Sequence, residues 1–381
     1  MKPLRRIEAV AQVALFVLFL GLPLVDGLLG LDPTELPRGA VTGDEAPGRP
    51  TDLATLATFP ERFEPYFRQH FGWRAWLVRG FHRLNFRLFR VSESPWVHVG
   101  RDGWLFYGGT ATDFQRADDP FTDRERRRWF GSIQRRQEWL AAQGIDYLFV
   151  AAPNKHSIYP EQLPARLRRS GPETRWQLLS RLLARHTNVE RVDLHAPLLA
   201  AKQRERVYER TGSHWNRRGA YIAYRTLFAP LARRFPTLTP VSWEALSWTE
   251  KETPADLVSL LGLDGLLEEA RFRPTGGVRH VDLEFRRNRG LVTRQDDPSL
   301  PRAVIFHDSF SVSLAPYLAE HFSYAVFQWR ARFDGKLVQR VKPDIVIEQR
   351  VERRLQLGAI PNELPRLEAL ESSATGAGRT R

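Results

Sequence analysis

A chain of 381 residues with 42% hydrophobic content is long enough for one large domain, or two small ones, with a real core. It contains no cysteine, which excludes disulfides, a thiolate zinc site and a cysteine nucleophile but leaves the compartment open. The net charge of +13 suits nucleic acid, an anionic membrane surface or an acidic polymer. The arginines are scattered, however, and no zinc-finger, helix-turn-helix or RNA-recognition signature accompanies them.

The first thirty residues open with Lys2, Arg5 and Arg6, and Ala9 to Val25 is then apolar except for Gln12. At 1.5 Å per residue this run just crosses a hydrocarbon core of about 30 Å. Positive charge before it, with Asp26, Asp32 and Glu35 after it, predicts one transmembrane signal anchor over 1–31, the N-terminus inside and the rest outside. No A-x-A-type cleavage site follows. Residues 32–59 are rich in Pro, Gly, Asp and Thr and read as a linker. Over 60–90, Phe63, Tyr66, Phe67, His70, Phe71, Trp73 and Trp76 recur at helical spacing, a stripe expected to be core.

"VHVGRDGWLFY" (97–107) reads as two short strands around a turn. Thr122 or Asp123 caps a long helix ending near Gly144, whose arginines at 124–137 form a solvated basic face. A buried strand, "IDYLFVAAPNK" (145–155), follows, then a helix over 173–186, a strand over 189–194, and a helix from just after His214 to about Arg234. Residues 237–300 read as irregular, with short helical pieces near 255–270. "RAVIFHDSF" (302–310), "SYAVFQW" (323–329) and "PDIVIEQ" (343–349) are three more apolar strands. Apolar strands alternating with helices predict an α/β domain with a mostly parallel sheet covered on both faces. The tail over 356–381 turns polar and small and is expected to be partly disordered.

In such sheets the reactive loops lie at the carboxyl ends of strands. Three polar turns hold that position: "APNKHS" (152–157), "HDSFS" (307–311) and "QWRARFD" (328–334). The second delivers Ser309 into a turn before a helix, where free backbone N–H groups can bind an oxyanion; Ser309 as a simple N-cap is the plainer alternative. In "TGSHWN" (211–216), His214 lies just before a helix and is placed like a hydrolase base. A carboxylate is expected two residues before such a base, and Gly212 holds that position.

"FEPYFRQHFGWRAWL", "VGRDGWLFY", "APNKHSIYPEQLP", "TGSHWNRRGAYIAY", "HDSFSVSLAPYLAEHF" and "PDIVIEQRVERRL" together resemble, in order, the alginate O-acetyltransferase family of the AlgJ/AlgX type. The resemblance covers roughly residues 60–355. It implies a three-layer SGNH hydrolase-like domain over that range. Ser309 matches the family's nucleophile and His214 the base of its D-x-H-W motif. The departure is Gly212, where the family has Asp; losing the acid of a serine triad can cost about 10⁴ in kcat. Ser213 or a carboxylate from elsewhere could hold the other ring nitrogen. Asp193 and Glu209 are the candidates, and Asp308 is expected to position the nucleophile. A donor from the 152–157 loop, such as Asn154, would help bind the oxyanion. Lys155 and Arg330 are candidate contacts to an anionic polymer. No cofactor or metal is called for.

The resemblance thus implies an O-acetyltransferase working through acetyl-serine on a periplasmic or extracellular polysaccharide. It implies anchoring in the cytoplasmic membrane and acetyl supply by a multi-spanning partner. Gly212 favours a second reading, a catalytically degenerate binding or scaffold protein of an export complex. A carbohydrate acetylesterase is the third, differing only in which hydroxyl meets the acyl-enzyme. Nucleic acid is not expected as a partner of an exported domain.

Overall fold

The computed structural model describes residues 2–30, 46–92, 94–109, 121–167, 173–276, 282–286, 290–329, 333–356 and 362–364. Arg330, half of the expected linker (residues 32–45) and nearly all of the tail lie outside them, and residues 53–59, expected as linker, are helical. The chain divides into two compact units, one of Met1–Val99 with Pro254–Glu268, the other of Gly100–Thr253 with Glu269–Arg381.

In the first unit, helices span Lys2–Leu29, Leu53–His70 and Arg74–Phe89. The second starts at a capping box: Asp52 accepts the Thr55 N–H at 2.7 Å and Thr55 reaches back to the Asp52 N–H. The first helix covers the segment expected to span a membrane, and Val10, Val13 and Leu15 to Leu18 are exposed on it. Among the described residues, however, no helix is long and apolar enough to cross a membrane. Asp26, near the end of this helix, is buried and accepts the Trp73 N–H at 2.7 Å, so this end packs within its own unit. The aromatic stripe is a second departure from expectation. Phe63, Phe67 and Trp76 are exposed, and in Arg74–Phe89 only Ala75 and Phe86 are buried. The rings stack along the helix instead: Phe59 on Phe63 at 5.3 Å, Phe63 on Phe67 at 5.9 Å and Tyr66 on His70 at 4.2 Å. Helical spacing places aromatics on one face, but it does not supply a layer to bury them.

The second unit is built on a seven-stranded sheet. Its strands are β1 (Asp146–Ala152), β2 (Glu190–Asp193), β3 (Asp282–Arg286), β4 (Gly290–Arg294), β5 (Arg302–His307), β6 (Tyr324–Trp329) and β7 (Ile345–Val351). The order is β2-β1-β7-β5-β6-β4-β3. The first five are parallel, and β4 and β3 complete the edge antiparallel. Period-two alternation divides the side chains between two cores. Leu148, Val150, Ile305 and Ile347 join one, with Ala220, Tyr224 and Leu227 of helix Arg217–Arg234. Tyr147, Phe149, Val304 and Val346 join the other, with Trp129, Leu179 and Val338 of helices Asp123–Ala141, Arg175–His186 and Gly335–Val341. The result is three layers with both sheet faces covered, as the near-continuous apolar strands require.

The second core holds an ion pair that its strand sequence conceals. The Arg136 guanidinium and Glu348 carboxylate are fully buried, with Nη1 at 2.6 Å from each carboxylate oxygen. Tyr147 Oη donates to the same carboxylate at 2.7 Å and Arg350 Nε at 3.2 Å. Residues 237–300 are also more regular than expected. Ser247–Thr253 pairs antiparallel with Glu269–Gly276, and β3 pairs with β4. Most of Ser247–Thr253 is exposed, so "SWTEKET" carries none of the apolar alternation that betrays a half-buried strand.

Candidate active site

The carboxyl ends of β1, β7 and β5 lie side by side, and the loops that leave them meet the 207–216 segment. After β5, Asp308 shapes the turn. Its Oδ1 accepts the Phe310 N–H at 3.1 Å and its Oδ2 the Val351 N–H at 2.7 Å, pinning the turn to the end of β7. Gln349 Oε1 accepts the Ser311 hydroxyl at 3.0 Å from the same strand. A short 3-10 helix, Ser309–Ser313, follows, with Ser309 at its first position, where a backbone N–H has no intrahelical partner. Phe310 is fully buried against His214 and Trp215, with ring centroids 4.9 Å away from each, and so holds Ser309 at the rim.

The 207–216 segment doubles back on itself. The Asn216 N–H donates to Val207 O and the Glu209 N–H to His214 O, both at 3.0 Å, and Tyr208 bridges to Trp215. Asn216 then caps helix Arg217–Arg234, accepting the N–H groups of Arg218 and Gly219 at 3.0 Å. A side chain at Gly219 would collide with Val207 O, so only glycine lets the helix start against this loop. Trp215 Nε1 donates to Ser313 Oγ at 2.6 Å and ties the loop to the Ser309 turn.

These constraints bring His214 Nε2 to 2.8 Å from Ser309 Oγ, with both residues partly exposed. The other ring nitrogen, Nδ1, lies 3.2 Å from Ser213 Oγ. The pair can move a proton between hydroxyl and imidazole, the elementary step of nucleophilic acyl transfer. Nearby, Asn154 is fully buried; its N–H donates to Glu352 at 2.8 Å, and its Oδ1 accepts from Arg353 at 3.2 Å. The side-chain Nδ2 of Asn154 has no hydrogen-bond partner among the described residues.

The other expected residues fall in different places. Lys155 is buried, and its ammonium donates to Leu105 O at 2.6 Å, Arg210 O at 2.8 Å and Gly212 O at 2.9 Å. Three donors spent on three carbonyls make it a brace for the His214 loop rather than a contact for polymer. Asp193 is committed to His195, whose Nδ1 is 3.0 Å from it and whose Nε2 is 2.8 Å from Glu352. Burial opposes charge on that imidazole, but Glu352 and Asp193 outweigh it and push its pKa to about 10. Glu209 is buried beside Gly212 and takes Arg271 Nε at 3.0 Å.

Glu269 is a support that sequence reasoning missed. It accepts the Arg210 and Thr211 N–H groups at 2.8 and 2.9 Å and the Thr211 hydroxyl at 2.7 Å. Burial works against its charge, yet those N–H donors and Arg206 hold its carboxyl below the usual range. It stands in the antiparallel ribbon, where no local motif marks it.

The parallel-core α/β sandwich is of the SGNH hydrolase-like class, with a serine and a histidine side by side at the carboxyl edge of its sheet. Residues 97–338 match the model of the SGNH hydrolase-like domain of the acetyltransferase AlgX, and the chain belongs to that family. It is 25% identical over 289 residues to a probable alginate O-acetylase AlgJ of Azotobacter vinelandii, covering 74% of this chain and 68% of that one. It is 27% identical over 268 residues to the protein of the same name from Pseudomonas aeruginosa, covering 69% and 63%. The structure of Bacillus cereus PatB1 superposes with a TM-score of 0.52 at 14% identity, over 68% of this chain and 96% of that chain, a likeness of fold.

Proposed function

We propose that the chain is an O-acetyltransferase that passes acetyl groups through Ser309 to hydroxyls of an extracytoplasmic polysaccharide. The observation that carries this reading is the 2.8 Å approach of His214 Nε2 to Ser309 Oγ. His214 takes the hydroxyl proton as Ser309 Oγ attacks the acetyl carbonyl carbon. The bond from that carbon to the donor's leaving group breaks, and the leaving group takes the proton from the imidazolium. A sugar hydroxyl then gives its proton to His214 and attacks acetyl-Ser309, and Ser309 Oγ leaves and is reprotonated. The Ser309 N–H and the Asn154 side-chain amide are the proposed donors to the oxyanion.

The relatives' names support a polysaccharide of the alginate kind as acceptor. The +13 net charge is of the sign that attracts a polyanion. Export and attachment to the cytoplasmic membrane through the first helix rest on its cationic start and its exposed apolar residues. Acetyl delivery by a membrane-embedded partner belongs to the same proposal, and a fusion reporter at the C-terminus tests the topology.

The activity test is esterolysis of p-nitrophenyl acetate by the full chain beside Ser309→Ala and His214→Ala. Both variants are expected to lose at least about 10³-fold in kcat. Turnover equal to wild type in Ser309→Ala contradicts the reading. An acetylated oligosaccharide product, against free acetate alone, separates transferase from esterase.

A further inference from the structure

Gly212 holds the position where an acid would orient His214, yet a carboxylate is there all the same. We propose that Glu209 is the acid of this site, a positioning residue that acts on His214, and that residue 212 is glycine because the Glu209 carboxylate occupies its side-chain space. The inference rests on the Ser309–His214 reading and names the member it lacks.

The hairpin supplies the geometry. Glu209 faces His214 across it, its N–H bonded to His214 O at 3.0 Å. The side chain then folds over Gly212. A Cβ built on Gly212 would collide with Glu209 Oε2 and would stand 3.0 Å from the carboxylate carbon and 3.1 Å from Glu209 Cβ. The carboxylate therefore occupies the point from which an aspartate at 212 would extend, delivered from three residues earlier by a longer side chain.

Burial and partners agree with that role. Glu209 is only 7% exposed, and a carboxylate that deep needs cationic or hydrogen-bonded company. Arg271 Nε supplies part of it at 3.0 Å, from a side chain that is itself half exposed. An imidazolium forming on His214 during acyl transfer would supply more. Ser213 Oγ lies 3.2 Å from Nδ1. In the proposed relay the Nδ1–H donates to Ser213 Oγ, and the Ser213 hydroxyl in turn donates to the Glu209 carboxylate. This leaves Nε2 unprotonated toward Ser309, the tautomer a general base requires.

The neighbouring carboxylates are committed elsewhere. Asp308 accepts Phe310 and Val351 N–H groups, Glu269 those of Arg210 and Thr211, and Asp193 holds His195. Glu352 accepts the Asn154 N–H and the Ser157 hydroxyl.

The test uses the full chain with Glu209→Gln, which keeps shape and removes charge. Glu209→Gln is expected to lower kcat for p-nitrophenyl acetate by about 10²–10⁴-fold, with KM nearly unchanged. The acid limb of the pH–kcat profile moves to lower pH, because an imidazolium without its carboxylate is more acidic. In a Glu209→Ala background, Gly212→Asp is expected to restore at least about tenfold of the lost rate, since the space is then open and the acid returns to position 212. Activity within about threefold of wild type and an unmoved acid limb in Glu209→Gln would overturn the proposal. The ring titration of His214, followed by NMR, reads the same coupling without turnover. Its midpoint is expected to fall in Glu209→Gln, and an unmoved midpoint overturns the proposal. A shifted midpoint in a protein without Ser309-dependent turnover would instead refute the catalytic reading and leave the Glu209–His214 coupling standing.

Discussion

Two histidines near the carboxyl edge of the sheet have different partners and opposite prospects. His195 lies between Asp193 at 3.0 Å and Glu352 at 2.8 Å. His214 lies between two hydroxyls, Ser309 at 2.8 Å and Ser213 at 3.2 Å. An imidazole clamped by two carboxylates is a fixed cation, a strut joining the ends of β2 and β7. One flanked by hydroxyls is placed to accept a proton from one of them and return it. A histidine and a carboxylate in one loop therefore do not define a site. What sets His214 apart is a serine hydroxyl at one ring nitrogen, where His195 has a carboxylate at each.

A charge pair that works as a strut inside the core should cost most to break. Glu348→Ala leaves the Arg136 guanidinium buried without its partner, and about 3–5 kcal/mol of stability should be lost in urea unfolding. An unchanged midpoint would mean that the pair is not buried as described. A smaller effect is expected at His195. Its folded pKa, about 10, is raised above the ordinary 6.5. The stability it contributes is thus fully present below about pH 6.5 and is lost as pH rises through about 10. His195→Gln should flatten that alkaline fall while leaving the acid limb of kcat where it was. NMR should find the wild-type ring still protonated at pH 8, and a midpoint near 6.5 would make His195 an ordinary histidine. The smallest effect belongs to the first unit. Phe67→Ser, on the exposed stacked ridge, should shift stability by no more than about 0.5 kcal/mol, and a loss of 2 or more would show that the ridge is covered.

Much of the sheet was legible because a strand buried on both faces has to be apolar throughout. "YLFVAA", "AVIF" and "IVI" carry that signal, and the helix after His214 announces itself through Asn216 and its apolar period. His214 and Ser309 stand in separate motifs, so only the folded loops bring them together. Polar groups turned inward are what the sequence conceals. Lys155 sits in a loop that reads as solvent-facing, yet its ammonium is enclosed by three carbonyls. Glu348 reads as the polar end of a strand, although its partner is a helix arginine 212 residues away. Glu209 could be named a candidate from proximity, but the collision at Gly212 that gives it a place exists only in three dimensions. The aromatic stripe misled for the converse reason, since periodicity defines a face and says nothing of what covers it.

Acid-quenched mass spectrometry of the full chain after brief exposure to p-nitrophenyl acetate reads the acyl group on Ser309 itself. One acetyl group is expected on the peptide containing Ser309, absent in Ser309→Ala and strongly reduced in His214→Ala. A wild-type chain that turns over ester with no acetyl group on that peptide, or with the group on another residue, would contradict an acetyl-serine route through Ser309.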